Sequence, residues 1–271
     1  MHGASKNYSF ASRFLPEDKV MHVEALYAVM RVGDDLVDVH HKGDAARAAI
    51  EDFQAQYWNA FETGDSPNPV LRAYLDTARR FEIPADLLRP YFRAMIDDLT
   101  ITRFPTFDDL IHYMEGSAMP VGRIMSHILG TRTRRIADVY EPADALSIAM
   151  QLSNFWRDVG QDWGIGRVYI PQEDLRRFQY TEDDLANCRI NRNFIDLMEF
   201  EIERAERYYQ TARQGVSLLA SGQWGVMSGL EIYRAILSDI RRSGYDVFTR
   251  RAGTSKAQKL GLVVRARWLT L

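Results

Sequence analysis

The sequence predicts an all-α bundle forming one domain, and three observations carry that prediction. Apolar residues recur at three- and four-residue steps almost from end to end. No apolar/polar alternation is long enough for a sheet; the best strand-like run, Val168-Tyr169-Ile170, is three residues in a loop. The 271 residues include only 17 Gly and 9 Pro, few for an all-β chain with many tight turns. No fixed-period repeat, low-complexity tract or Pro/Ser-rich linker divides the chain. A chain of this length buries roughly 75% of the surface its unfolded form exposes, enough to enclose a deep pocket.

Each helix has its own signals. Between Glu17 and Val39, the residues Val20, Val23, Leu26, Tyr27, Met30 and Leu36 fall near one face, and Pro16 stands where a first-turn proline is tolerated. A helix over Asp44–Thr63 is closed by Gly64, and others are predicted over Val70–Phe81 and Pro84–Thr100. Thr106 followed by Asp109 reads as a cap with an acidic first turn, opening a single helix that reaches Leu129 and stops at Gly130. Pro142 opens the next, which runs through Ile148, Leu152, Phe155 and Val159. A loop with Gly164, Gly166 and Pro171 follows, then long helices over Asn193–Gly215 and Gly222–Arg242 and a basic amphipathic segment over Lys256–Leu271.

Composition excludes several classes. With 46% hydrophobic and 26% charged residues the chain is not disordered, and a net charge of −3 argues against a general nucleic-acid binder. The single Cys188 excludes a disulfide framework and a cysteine-only metal cluster, and suits a reducing cytosol. Met1–Lys6 lacks the apolar core of a secretory signal, and no apolar run approaches a spanning helix. The expectation is a cytoplasmic protein that is soluble or lies peripherally on a membrane.

Two acidic sites carry the chemistry. In Asp34-Asp35-Leu36-Val37-Asp38, Asp34 and Asp38 share a helix face at i,i+4; in Asp158-Val159-Gly160-Gln161-Asp162 the same spacing recurs, with Asn154 one turn upstream. Like charges at i,i+4 repel, so such pairs cost stability unless a cation sits between them. Hard oxygen ligands without cysteine or histidine point to Mg²⁺ shared with substrate phosphates, Mn²⁺ being the alternative ion. Both sites continue an apolar face, and Arg31 and Arg157 lie a turn or less upstream, an arrangement that fits bidentate phosphate binding. The competing reading from spacing alone is an intrahelical Arg–Asp pair. By contrast Asp108-Asp109 and Asp183-Asp184 read as helix-start charges, Asp97-Asp98 as structural, and His40-His41 as a solvated helix end.

These residues, with Ser5-Lys6-Asn7-Tyr8-Ser9-Phe10-Ala11, Leu15-Pro16, Ala25 to Arg31, Gln151 to Asp162, Gly166 to Pro171 and Gly244 to Arg251, resemble the squalene/phytoene synthase family of head-to-head trans-isoprenyl diphosphate synthases over nearly the whole chain. The resemblance implies one catalytic domain over 1–271 with the isoprenoid synthase fold, a helical bundle around a central cavity. It implies Mg²⁺ dependence and two prenyl diphosphate substrates joined through a cyclopropylcarbinyl diphosphate. By motif, Asp34, Asp38, Asp158 and Asp162 bind the metal–diphosphate assembly and Asn154 orients it. Arg31, Arg157 and Arg250 neutralise diphosphate, with Ser5 and Lys6 closing the site from the N-terminal side. Tyr27, Tyr113 and Tyr233 correspond to cavity tyrosines near the reacting carbons. For Phe10, Met30, Val121, Met125, Ile148 and Leu152, which have cavity-like spacing, ordinary core packing is expected.

Product choice divides the motifs. Gly116 to Arg123 and Asn154-Phe155-Trp156 resemble bacterial squalene-pathway members, whereas Tyr245 to Arg251 resembles phytoene synthases. The chain has no G-x-G-x-x-G fingerprint, so NADPH is not expected, although this type of fold binds nicotinamide without one. The reading favours two geranylgeranyl diphosphates giving phytoene. The alternatives are a squalene-pathway synthase using farnesyl diphosphate, then a terpene cyclase or a non-enzymatic relative. Arg265, Arg267 and Trp268 near the C-terminus suit either docking on the bundle or an anionic membrane surface.

Overall fold

The computed structural model describes residues 10–38 and 43–270, with the backbone alone at Asp38. Ser5, Lys6, His40 and His41 lie outside the described residues. Thirteen α-helices occur among those described: α1 (Glu17–Asp38), α2 (Asp44–Thr63), α3 (Pro69–Arg80), α4 (Arg89–Asp97), α5 (Phe107–Ser117), α6 (Met119–Leu129), α7 (Tyr140–Arg157), α8 (Val159–Gly164), α9 (Gln172–Arg177), α10 (Glu182–Ala186), α11 (Arg192–Gly215), α12 (Gln223–Arg242) and α13 (Lys256–Leu269). No strand forms among them. Val168 makes only an isolated bridge to Arg103, and none of the helices is long and apolar enough to cross a membrane.

Several boundaries differ from those the sequence predicts. The helix expected from Thr106 to Leu129 is two, broken at Ala118 (φ −131°). Pro120, at the second position of α6, has no N–H to bond back and its ring crowds the preceding turn. The helix expected to run through Val159 stops at Arg157, and Asp158 (φ −102°, ψ 13°) is a joint between α7 and α8. Backbone bonds still run from the Asp158 amide to the Asn154 carbonyl (2.9 Å) and from the Asp162 amide to the Asp158 carbonyl (2.8 Å), so these residues keep their one-turn spacing. The helix expected over Pro84–Thr100 is a 3₁₀ turn, Ala85–Leu88, followed by α4. The segment that the sequence predicts as a loop contains α9 and α10, and Thr181 and Asp184 form a capping box at the start of α10. Thr106 and Asp109 form the corresponding box on α5.

Two apolar cores result. One gathers Val23, Leu26, Ile50, Tyr57, Tyr74 and Phe92 from α1–α4, joined by Ile124 and Ile128 of α6. The other gathers Leu152, Trp156, Leu197, Ile202, Leu230 and Ile236, where α7 packs along α11 and α12. In both, the side chains meeting across helices recur at helical spacing, Val23 with Leu26 and Leu152 with Trp156 among them.

The second core carries an unbalanced ion cluster. Arg204 donates to Asp174 (2.7 Å) and to both oxygens of Glu201 (2.9 and 3.0 Å), and Glu201 is fully buried. Burial raises the Glu201 carboxyl well above its ordinary 4.5; Arg204 opposes the rise and Asp174 adds to it. From 4.5 upward, the folded state therefore retains a proton that the unfolded state has released, and stability falls as pH rises through that window. Glu201→Gln removes this loss. Thermal melts should show a flatter decline with pH for the variant than for the wild type, and parallel pH profiles would contradict the assignment.

Candidate active site

A cavity of about 340 Å³ lies in the seam between the two cores. From one side α1 contributes Tyr27, Met30, Arg31 and Asp34, which recur at three- and four-residue steps and form a single stripe. From the other, α7 lines it from Pro142 to Asn154, about 18 Å of helix at 1.5 Å per residue. One end is polar, with Arg31, Asp34, Asn154 and Tyr233. The opposite end is apolar, closed by Leu129, Val139, Val216 and Leu219.

The α1 stripe reaches the polar end because α4 approaches closely there. A Cβ on Gly33 would lie 2.0 Å from the Tyr91 hydroxyl, which donates to the Met30 carbonyl at 2.9 Å. Arg31 pairs with Asp35 (2.9 Å) while also facing the cavity. Asp34 lines the polar end; the Asp38 side chain lies outside what is described.

The α7–α8 joint supplies the second acidic site. Asp158 receives Arg157 through Nε at 2.8 Å, and Arg251 in two parallel bonds of 2.7 and 2.8 Å. Burial pushes the Asp158 carboxyl up, but the hydrogen bonds from Arg157 and Arg251 outweigh it and hold the group at about 2. Asp162 differs: burial and then the Asp158 charge push its carboxyl up to about 7, against the opposing pull of Arg167 and Arg157. Arg251 arrives because the segment after α12 turns through Gly244 and Tyr245, both left-handed (φ 66° and 64°), and lies over the start of α8. That docking depends on Gly160, where a Cβ would stand 3.0 Å from the Phe248 Cα and from the Val247 carbonyl oxygen.

Asn154 is a cavity-lining residue whose buried Oδ1 has no hydrogen-bond partner among the described residues. An orphaned amide oxygen, one turn before Asp158 and two before Asp162, is a hard donor set suited to Mg²⁺. No three acidic or histidine side chains converge among the described residues. Mg²⁺ needs no closed cage, because it keeps waters and binds through one or two carboxylates plus substrate phosphates.

The remaining expected residues divide. Tyr233 lines the cavity beside Arg157 and Tyr27, and burial pushes its hydroxyl up to about 12. Tyr113 does not line the cavity. It is buried between Phe104 and Tyr169, and its hydroxyl donates to Asp98 at 2.8 Å, because this face of α5 turns to the second core. Arg250 pairs with Asp239 (2.9 Å), and it is the neighbouring Arg251 that reaches the acidic site. Gln151, on the Asn154 face of α7, also lines the cavity. Of the six residues expected to pack in the core, Met30, Val121 and Met125 line the cavity, while Ile148 and Leu152 are buried in the second core and Phe10 packs on Phe14.

Comparison with known proteins places these features in context. A sequence profile described as squalene/phytoene synthase matches residues 1–258. A phytoene synthase of Arthrospira platensis is 34% identical over 259 residues, covering 92% of this chain and 84% of its own. A 15-cis-phytoene synthase of Synechococcus elongatus is 32% identical over 266 residues, covering 94% and 86%. The crystal structure of a dehydrosqualene synthase in complex with ligand superposes with a TM-score of 0.89 at 28% identity, covering 97% of this chain and 91% of that one. A squalene synthase of Alicyclobacillus acidocaldarius superposes at 0.79 with 29% identity, covering 89% and 90%.

The close approach at Gly160 yields a test. Gly160→Val forces the Val247–Phe248 backbone outward and separates Arg251 from Asp158, at a cost of about 1–3 kcal/mol. The variant should melt lower and bind inorganic pyrophosphate with Mg²⁺ more weakly in calorimetry. Unchanged melting and affinity would contradict the docking argument.

Proposed function

The chain belongs to the squalene/phytoene synthase family, prenyltransferases that use divalent metal with diphosphate substrates, and from that premise we propose that it joins two geranylgeranyl diphosphates head to head into phytoene, as a step of carotenoid biosynthesis. The observation that carries this reading is the 34% identity, over 92% of the chain, to a phytoene synthase. The long apolar cavity supports it, since it offers a dry sleeve for a prenyl tail beneath a charged mouth.

In this reading Asp34, Asp38, Asn154, Asp158 and Asp162 hold Mg²⁺. An ion held there would supply positive charge to offset the negative charge of the leaving diphosphate. Arg31, Arg157 and Arg251 add fixed positive charge at the same end, in surroundings where charge is weakly screened. Ionisation leaves an allylic cation, which water would quench to an alcohol. Met30, Val121, Met125 and Met150 exclude water from the tail, and the rings of Tyr27 and Tyr233 near the mouth present electron-rich faces to positive charge. The double bond of the second substrate captures the cation, and loss of a proton from the carbon that bore the leaving diphosphate closes the ring to give a cyclopropylcarbinyl diphosphate. That product ionises in turn and rearranges to the linear hydrocarbon, losing a proton when no hydride is supplied.

A second reading, a squalene-pathway synthase acting on farnesyl diphosphate, is favoured by the 0.89 TM-score to a dehydrosqualene synthase. Incubation with Mg²⁺ and either geranylgeranyl or farnesyl diphosphate, with and without NADPH, separates the two. The expected product is a C40 hydrocarbon independent of NADPH; a C30 product selects the second reading, and only C15 or C20 products contradict coupling altogether. Asp34→Ala and Asp158→Asn should each lower turnover on the order of 100-fold or more, with the helical circular dichroism retained. Near-wild-type turnover in either would remove that residue from the site.

A further inference from the structure

Helix α13 carries an apolar face that the fold leaves uncovered. It packs on α12 through Val263 and Ala266, both buried, and the Trp224 indole donates to the Val263 carbonyl at 3.0 Å. About a third of a turn away, Leu260, Val264 and Trp268 form a stripe at four-residue steps and are 59%, 52% and 75% exposed. With Leu269, this one helix holds four of the eight large apolar side chains exposed among the described residues. Such clustering marks an interaction surface rather than chance exposure.

The charge on α13 indicates what that surface meets. Its sequence contains Lys256, Lys259, Arg265 and Arg267 and no acidic residue, in a chain whose net charge is −3. On the helical wheel Lys256 and Arg267 border the stripe on one side and Arg265 borders it on the other. Cations flanking an apolar stripe that includes a tryptophan suit the headgroup layer of an anionic bilayer.

The direction of α13 gives the surface a place in the reaction. Its start follows the segment that pairs Arg250 with Asp239 and Arg251 with Asp158, beside the charged mouth. Its second half lies against Trp224, next to Gly225 and Val226, which line the cavity away from the mouth. Gly222 and Ser221 contact Leu129 at the apolar end, where the Thr131–Arg135 loop adds the exposed Arg132 and Arg134.

We propose that α13 seats the protein on an anionic membrane through Leu260, Val264 and Trp268, turning the apolar end of the cavity toward the lipid and leaving the charged mouth in water. The landing face stands on the surface itself. Its use, passing a water-insoluble hydrocarbon directly into the bilayer, rests on the function proposed above.

The full-length protein should pellet with vesicles of phosphatidylcholine plus phosphatidylglycerol, at least about tenfold more than with phosphatidylcholine alone, and the difference should shrink at high salt. Val264→Glu with Trp268→Glu changes only exposed positions; it should abolish pelleting while leaving hydrocarbon formation in detergent unchanged. Equal pelleting of variant and wild type would overturn the proposal, as would no pelleting of the wild type. So would a wild-type dimer in sedimentation that the double variant dissociates, since the stripe would then be an interface between copies. The two proposals fail separately: protein that makes its C40 product in detergent without pelleting contradicts the landing face alone, and protein that pellets but couples nothing contradicts the reaction alone.

Discussion

The site depends on holding carboxylates beside an apolar cavity without metal-independent collapse. Asp158 achieves this through bidentate contact with Arg251 and a second arginine, Arg157, whose side chain is only 4% exposed. Removing either charge alone would leave a partner poorly solvated, which costs far more than an exposed pair contributes. In the function proposed above, the same arginines supply the positive charge that a diphosphate needs. Carboxylate in the resting protein and phosphate in the loaded one can thus exchange places on one pair of guanidinium groups. Asp162, pushed up to about 7, has no such paired arginine among the described residues.

Close backbone approaches carry that constraint into the fold. Gly160 lets the Val247–Phe248 segment lie on α8 and delivers Arg251, and Gly33 lets Tyr91 brace α1 where Arg31 and Asp34 turn inward. The two cores meet imperfectly along the seam between α1 and α7, and this seam is the cavity. Its charged end coincides with the C-terminal ends of α1 and α7, and its apolar end with the start of α12. One gap between two well-packed halves thus supplies both a dry sleeve and a polar mouth.

What was legible in the sequence follows from what helical periodicity encodes. Tyr27, Arg31 and Asp34 share a face by spacing alone, and so do Asn154 and Gln151, so their convergence needed only the period of 3.6. Periodicity states that a residue faces inward but not toward which of two cores, and Tyr113 accordingly faces Asp98 and Tyr169 rather than the cavity. The choice between Arg250 and Arg251 depends on a left-handed turn at Gly244 and Tyr245 and on space at Gly160, which no local pattern records. The break at Ala118 is signalled by Pro120, and α10 by Thr181 and Asp184; each signal is only one or two residues and carries no periodicity of its own.

In the proposed function, the two acidic helices share one metal–diphosphate assembly at the mouth of a sleeve that holds the prenyl tail. A crystal grown with Mn²⁺ and a thiolo-diphosphate analogue of the prenyl substrate tests this most directly, because anomalous scattering locates the metal and density locates the tail. The expected result is Mn²⁺ between the α1 aspartates and the Asn154–Asp158–Asp162 face, Arg251 moved from Asp158 onto the diphosphate, and the tail running along α7 toward Leu129. Metal bound elsewhere, or a tail lying outside the seam, would contradict it.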